Sequence, residues 1–126
     1  MIATMLHTVK DELHNIDIPY EFMRWTSTVE DRYWVGEYSE SPTGSEDGYE
    51  EATIILTGTT RQSWSVLIQD CEKIKHHFPN ECGLRIPTDN GVVVFFYENS
   101  FPVDTGEADL KRIQVNLHIK MWKGMN

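Results

Sequence analysis

The sequence predicts an α+β fold in which two helices pack on one face of a mainly antiparallel sheet, in the order α-β-β-β-α-β-β-β. Residues 110–122 alternate strictly between apolar and polar side chains, as a strand with one covered face does. Residues 2–16 and 64–78 instead repeat apolar side chains every three or four positions, as amphipathic helices do. With 126 residues and neither a linker nor an internal repeat, we expect a single domain spanning residues 1–126.

The first helix and strand are predicted at the amino-terminal end. The apolar stripe of the helix consists of Ile2, Met5, Leu6, Val9, Leu13 and Ile16. Pro19 follows the helix, and the aromatic-rich run Tyr20–Trp25 predicts a first strand, with residues 26–31 as its turn. This helix is expected to cover part of the sheet.

The second and third strands are predicted to form a long hairpin. Residues 32–40 and 51–59 are both rich in β-forming side chains. Between them, residues 41–48 combine Pro, Gly, Ser and acidic residues and contain no hydrophobic anchor. We therefore expect a hairpin arm that ends in a mobile loop near residues 41–50.

The second half of the chain predicts a helix and three more strands. The helical stripe consists of Trp64, Leu67, Ile68, Cys71, Ile74 and Phe78. Pro79 ends this helix, and Ser63 is a candidate for its N-cap. Residues 83–86 and 92–97 then form a second hairpin around Asp89-Asn90-Gly91. In the last strand, the side chains expected to face the core are Ile113, Val115, Leu117, Ile119 and Met121.

Composition excludes several classes of protein. The net charge of −9 disfavours binding to DNA phosphates, and no apolar run approaches the roughly 20 residues of a membrane span. The amino terminus lacks the pattern of a secretory signal, so we expect a cytoplasmic product. Cys71 and Cys82 are too few and too irregularly spaced for a disulfide framework or a zinc site. We expect both thiols to be reduced.

The sequence contains no strong catalytic signature. The glycines do not match a phosphate loop, a dinucleotide fingerprint or a nucleophile elbow. His7, Asp11 and His14 share one helix face and could hold a metal for a hydrolase, but a solvated polar face explains them better. Cys71 is most simply a core residue, since a catalytic thiolate needs an electropositive, accessible setting. We expect no enzymatic activity, no cofactor and no metal.

Charge is sorted along the chain. Residues 30–51 hold eight acidic residues and one basic residue, whereas residues 110–126 hold four basic residues and no acidic one. We call the first candidate surface the acidic arm: Glu37, Glu40, Glu46, Asp47, Glu50 and Glu51. The second is the basic strand, whose candidate interface residues are Lys111, Arg112, Lys120 and the apolar anchor Trp122. Opposite poles on one small domain favour assembly over catalysis.

Several segments resemble small virion proteins from phages and prophages of Gram-positive bacteria. They are residues 33–38 (YWVGEY), the acidic Glu-Asp-Gly loop, residues 54–58 (IILTG), Ser63-Trp64 and residues 105–117 (TGEADLKRIQVNL). The pattern is similar to tail terminator or tail completion proteins of long-tailed phages. The resemblance implies a mixed α+β subunit in a hexameric ring that caps the tail tube, stops its polymerisation and joins it to the DNA-filled head.

The resemblance also implies partners and a location. These are other copies of the chain, the tail tube protein and the connector or stopper proteins of the head, in a virion assembled in the bacterial cytoplasm. DNA would pass through the ring without sequence-specific binding. Two alternatives remain open: another neck protein, either a connector adaptor or a stopper, and a small acidic inhibitor or regulatory protein that mimics nucleic acid.

Two hypotheses connect the charge pattern with a ring. In the first, the basic strand of one subunit lies near the acidic arm of its neighbour, and Trp122 supplies apolar contact. In the second, the acidic arm faces the central channel or the tail tube. Carboxylates that line a channel repel phosphates, so DNA could slide through it without sticking.

Overall fold

The computed structural model describes residues 1–40 and 48–124, and its elements follow the predicted order. They are α1 (Ile2–Asn15), β1 (Tyr20–Phe22), β2 (Arg32–Glu40), β3 (Tyr49–Thr60), α2 (Trp64–His77), β4 (Leu84–Thr88), β5 (Gly91–Val103) and β6 (Lys111–Lys123). The six strands form one sheet in the order β1-β2-β3-β6-β5-β4. Only β1 and β2 pair in parallel, so the predicted α+β class is confirmed.

One face of the sheet carries the core. All five predicted inward residues of β6 are buried, and they join buried residues of β3 and β5. Helix α1 contributes Met5, Val9 and Leu13 to the same cluster, and α2 contributes Leu67 and Ile74. Both helices therefore pack on the same face, as the sequence predicted. No helix in the described parts of the chain is both long and apolar enough to cross a membrane.

The first strand is shorter than predicted. It ends at Phe22, because Met23 adopts a left-handed backbone with φ of 66°. The carboxylate of Glu21 then accepts hydrogen bonds from the Thr26 amide and hydroxyl and from the Ser27 amide. These contacts turn the chain away from the sheet, so β1 lines only the part of β2 from Trp34 to Gly36.

The fifth strand is longer than predicted. It continues past Tyr97 to Val103, with a register shift between Tyr97 and Asn99. Strand β4 pairs with only the first part of it, from Gly91 to Phe95. Among residues 1–40 and 48–124, no strand covers the outer edge of β5 beyond that point.

Helix α2 begins where the sequence predicted but is held differently. Ser63 occupies the N-cap position, yet its hydroxyl contacts that of Ser65 and caps no backbone amide. The buried Asp70 instead fastens the helix to β2. Its Oδ2 accepts hydrogen bonds of 2.8 Å from Arg32 Nε and from Trp34 Nε1, and its Oδ1 accepts one of 3.1 Å from Arg32 Nη2.

The hairpin of β2 and β3 is confirmed, with Glu40 opposite Ala52. The loop predicted near residues 41–50 lies mostly outside the described residues, since 41–47 are not described. Two acidic-arm residues, Glu46 and Asp47, fall in that segment.

Candidate functional site

The sheet face opposite the helices is the first candidate surface, and we call it the open face. It carries the alternate residues of each strand, among them Glu37, Tyr49, Glu51, Thr53, Phe96, Asn116, His118, Lys120 and Trp122. Neither α1 nor α2, the helices of the described residues, packs on it. Its side chains on β6 are half-buried for the most part, whereas those on the other face are buried. Polar and aromatic groups thus form a broad surface suited to contact with another macromolecule.

The two predicted charge poles meet on this face within one chain. Glu51 lies opposite Lys120, and Tyr49 lies opposite Trp122, in the antiparallel register of β3 and β6. The Glu51 carboxylate is 3.9 Å from His118 Nε2. The Lys120 ammonium lies 5.4 Å from the centre of the Tyr49 ring, a distance typical of a cation–π contact. Charge that is sorted along the sequence is therefore mixed in space at this end of the sheet.

The other predicted interface residues lie at the opposite end of β6. Lys111 and Arg112 begin this strand, whereas Lys120 and Trp122 end it. Arg112 Nε donates to Thr59 Oγ1 at 3.3 Å within the same chain. The four residues chosen from the sequence thus form two separate groups, about 30 Å apart for a strand of this length.

The remaining described acidic-arm residues lie around the end of the hairpin. Glu37 and Glu40 are exposed on the last part of β2, and Glu50 is exposed on β3. Trp122 is half-buried, and its ring centre lies 5.3 Å from that of Tyr49. Its predicted role as an interface anchor stays a prediction.

A second candidate surface is a groove of about 620 Å³ between α2 and the far part of β5. Trp64, Ile68 and Phe101 line it and are 40%, 48% and 41% exposed. The first two belong to the predicted apolar stripe of the helix, but the structure leaves them at the surface. Sequence reasoning missed this groove, although the width of the apolar stripe is a signal of it.

Cys71 lies at the base of the same groove. It is half-buried, and burial raises the pKa of its thiol to about 11, with smaller contributions from nearby carboxylates. The thiol is therefore protonated at neutral pH, which is the opposite of what a nucleophilic cysteine needs. This agrees with the prediction of a packing role.

A third candidate surface is an exposed aromatic pair at the other edge of the sheet. Phe22 of β1 and Tyr38 of β2 stack with ring centres 6.2 Å apart. Phe22 is 43% exposed and Tyr38 is 40% exposed. Both project from the helix-bearing face, because Phe22 pairs with the buried Gly36, and Tyr38 lies two residues further along β2.

The residues weighed for metal chemistry are not brought together. His7 Nε2 lies 3.6 Å from Asp11, but His14 Nε2 is hydrogen-bonded to the Tyr20 carbonyl at 3.1 Å. In the described parts of the chain, no three His, Cys, Asp or Glu side chains form a group able to hold a metal ion. His77 lies in the last turn of α2, and its Nε2 is 2.9 Å from Glu12 Oε1 of α1.

Comparison with known proteins gives a match at the level of structure. No protein-family model and no curated protein sequence matches the chain. A structure described as the virion of a native gene transfer agent particle contains a chain similar in fold. The TM-score is 0.62 at 9% identity, over 89% of this chain and 84% of that chain. The likeness shows a shared fold.

A second solved structure, which carries no descriptive name, is similar to the same extent. Its TM-score is 0.65 at 11% sequence identity, over 88% of this chain and 84% of that chain. Both likenesses extend over most of either chain, so the α+β arrangement as a whole is shared.

Proposed function

We propose that this chain is a structural protein of a phage-like virion and acts as a tail terminator or tail completion protein. In this role, six copies form a ring that caps the tail tube and joins it to the head. The observation that carries the proposal is the fold shared with a gene transfer agent virion chain over 89% of the present chain. The sequence resemblance to phage tail proteins points independently in the same direction.

The described surfaces fit a role in assembly and not in catalysis. Exposed apolar side chains lie at two opposite edges of one sheet, and a surface of this kind marks contact with another protein. Two different surfaces on one subunit give heterologous contacts, and such contacts close into rings when the rotation between subunits closes. We therefore propose that the chain has no enzymatic activity and needs no cofactor.

The charge hypotheses are refined by the geometry. Because Lys120 already faces Glu51 across the sheet, any charge contact between subunits would add to a pairing within the chain. Glu50 is more exposed than Glu51, so it is the better candidate for a channel or a tail-tube contact. Replacing Glu50 with Lys should retard DNA passage without preventing ring formation.

The proposed function is tested by negative-stain microscopy of the purified protein mixed with tail tubes. We expect a ring at one end of each tube, and we expect tube length to stop increasing once the protein is added. Tubes incubated with an unrelated acidic protein of similar size provide the control. Binding to head connectors with no ring on the tubes would instead favour a connector adaptor or stopper.

A further inference from the structure

The apolar stripe of α2 extends beyond the part of the helix that the sheet covers. Leu67 and Ile74 are fully buried, whereas Trp64 and Ile68 on the flank of the same helix are 40% and 48% exposed. Phe101 of β5 borders the same groove and is 41% exposed, although its pairing with Gln114 places it on the open face. Two large exposed apolar side chains on one flank of a helix, beside a groove, are more than scattered surface residues, and they indicate a site that another chain covers.

The other edge of the sheet carries a protruding aromatic pair that can enter such a groove. The stacked rings of Phe22 and Tyr38 project on the helix-bearing side, next to the exposed Met23. Beyond Gly36, β1 no longer covers β2, so residues 37–40 have no strand on their outer side among those described. Residues 98–103 of β5 are likewise uncovered.

The charges around the two sites allow an ion pair between them. Lys75 lines the groove, with its ammonium 5.8 Å from the centre of the Tyr97 ring, and Glu72 lines it as well. Beside the aromatic pair, Glu40 is exposed and lies on the same face of β2 as Tyr38, so it can meet Lys75 of a neighbour. Opposite charges beside apolar contacts favour one orientation of docking over the reverse.

We propose that the occupant of the groove is a second copy of this chain. The Phe22–Tyr38 pair of one subunit inserts between α2 and β5 of the next, and residues 37–40 of the first lie along residues 98–103 of the second. The two sites lie at opposite edges of the sheet, so the contact is head-to-tail and each subunit uses both sites. The proposal rests on the ring of the proposed function and names the surfaces that build it.

The experiment uses two full-length variants, Ile68→Asp in the groove and Tyr38→Asp in the aromatic pair. Both side chains are exposed, so folding should persist, which circular dichroism checks. Analytical ultracentrifugation should show the wild type assembling and each variant monomeric. Ile68→Leu and Tyr38→Phe should restore assembly. Val29→Asp changes an exposed apolar side chain outside both sites and serves as the matched control.

Mixing the two variants gives the decisive measurement. Each retains one intact site, so one heterodimer forms through a single interface, and it cannot grow further because both remaining sites are damaged. A mixture that stays monomeric overturns the proposal, as does assembly of either variant alone. A wild type that stays monomeric at about 1 mM, where even weak contacts are populated, also overturns it.

The same samples separate this inference from the proposed function. If both variants still form rings on tail tubes, then the ring stands and the assigned surfaces are wrong. If the wild type assembles through the two sites but never binds tubes, then the surfaces stand and the tail terminator role is wrong.

Discussion

Replacing Asp70 with Ala should be among the most damaging single changes in this chain. Asp70 is 2% exposed, and it accepts hydrogen bonds from Arg32 and from Trp34 Nε1. The hydrogen bonds to Asp70 raise the pKa of Arg32, so this side chain keeps its charge, and only 19% of it is exposed. Removal of the carboxylate leaves a buried indole N–H without its acceptor and takes from Arg32 its closest ion-pair partner, leaving the Asp17 carbonyl at 3.1 Å and Asp31 at 3.4 Å.

The expected loss can be worked from this geometry. Breaking a buried ion pair by removing one partner costs about 3–5 kcal/mol. We expect the total loss for Asp70→Ala, including the lost hydrogen bond of the indole, to lie within this range. Unfolding entropy of about 2.1 cal/mol/K per residue gives about 0.26 kcal/mol/K for the 126 residues. A loss of about 4 kcal/mol therefore corresponds to a fall in Tm of about 15 °C. Such a loss is a large part of the stability of an ordinary domain.

Urea unfolding followed by circular dichroism measures this loss. The matched control is Asp109→Ala, because Asp109 Oδ2 is also 2.8 Å from an arginine nitrogen but its side chain is 71% exposed. That change should cost less than about 1 kcal/mol. Arg32→Met in the Asp70→Ala background should recover part of the loss by removing a half-buried charge that has lost its closest partner. Equal, small losses for Asp70→Ala and Asp109→Ala would refute the reasoning.

Three further changes test other contacts. Gly58→Ala places a methyl group 2.5 Å from atoms of a buried tryptophan ring and should lower the free energy of unfolding in urea by about 1–3 kcal/mol. Cys71 should react with a thiol reagent at pH 8 far more slowly than the exposed Cys82, because burial raises its pKa to about 11. Hydrogen bonds lower the pKa of Glu21 below its usual 4.5, and the bond from the Thr26 hydroxyl contributes most. The contribution of Glu21 to stability is therefore complete above pH 4.5. It is lost as the pH falls through the pKa of Glu21 in the folded protein, which an NMR titration measures.

Each of these changes has a matched control. Gly124→Ala meets no atom closer than 3.4 Å and should leave stability nearly unchanged. Cys82→Ser should abolish rapid thiol labelling, and equal labelling rates for both native cysteines would contradict the burial argument. Glu21→Gln should remove the titration of the loop amides. A midpoint at or above pH 4.5 in the wild type would show that the hydrogen bonds do not favour the charged carboxylate.

Alternation was the most reliable signal in the sequence. In β6, apolar and polar residues alternate without interruption, so both the strand and its buried side could be predicted. The ends of β1 and β5 could not. Met23 gives no hint of a left-handed backbone, and Asn99, Ser100 and Pro102 are poor strand formers that pairing with β6 holds in place.

Helical periodicity predicted α2 but not which part of its stripe the sheet would cover. The spacing cannot distinguish Leu67, which is buried, from Ile68, which lines the groove. It also gives no reason to bury Asp70, since the partners Arg32 and Trp34 lie more than thirty residues away. Tertiary packing determines whether such residues are buried, and the local periodicity of one sequence does not reveal the tertiary contacts.

The short strands at the two edges of the sheet determine which interactions stabilise the proposed contact between subunits. Strand β1 has three residues beside the nine of β2, and β4 has five beside the thirteen of β5. Pro102 lacks an N–H, and Glu37, Glu40 and Glu98 place charge at the same edges, which are devices that prevent indiscriminate strand pairing.

A long backbone ladder between subunits is therefore disfavoured, and apolar side chains must supply most of the association energy. Raising the salt concentration should then slow association by screening the flanking charges while leaving the dissociation rate nearly constant. Tyr38→Ala should instead act mainly on the dissociation rate, because it removes apolar contact and no charge. Stopped-flow measurement of both rates distinguishes these effects. A dissociation rate that rises steeply with salt would mean that ion pairs, and not the aromatic pair, hold the subunits together.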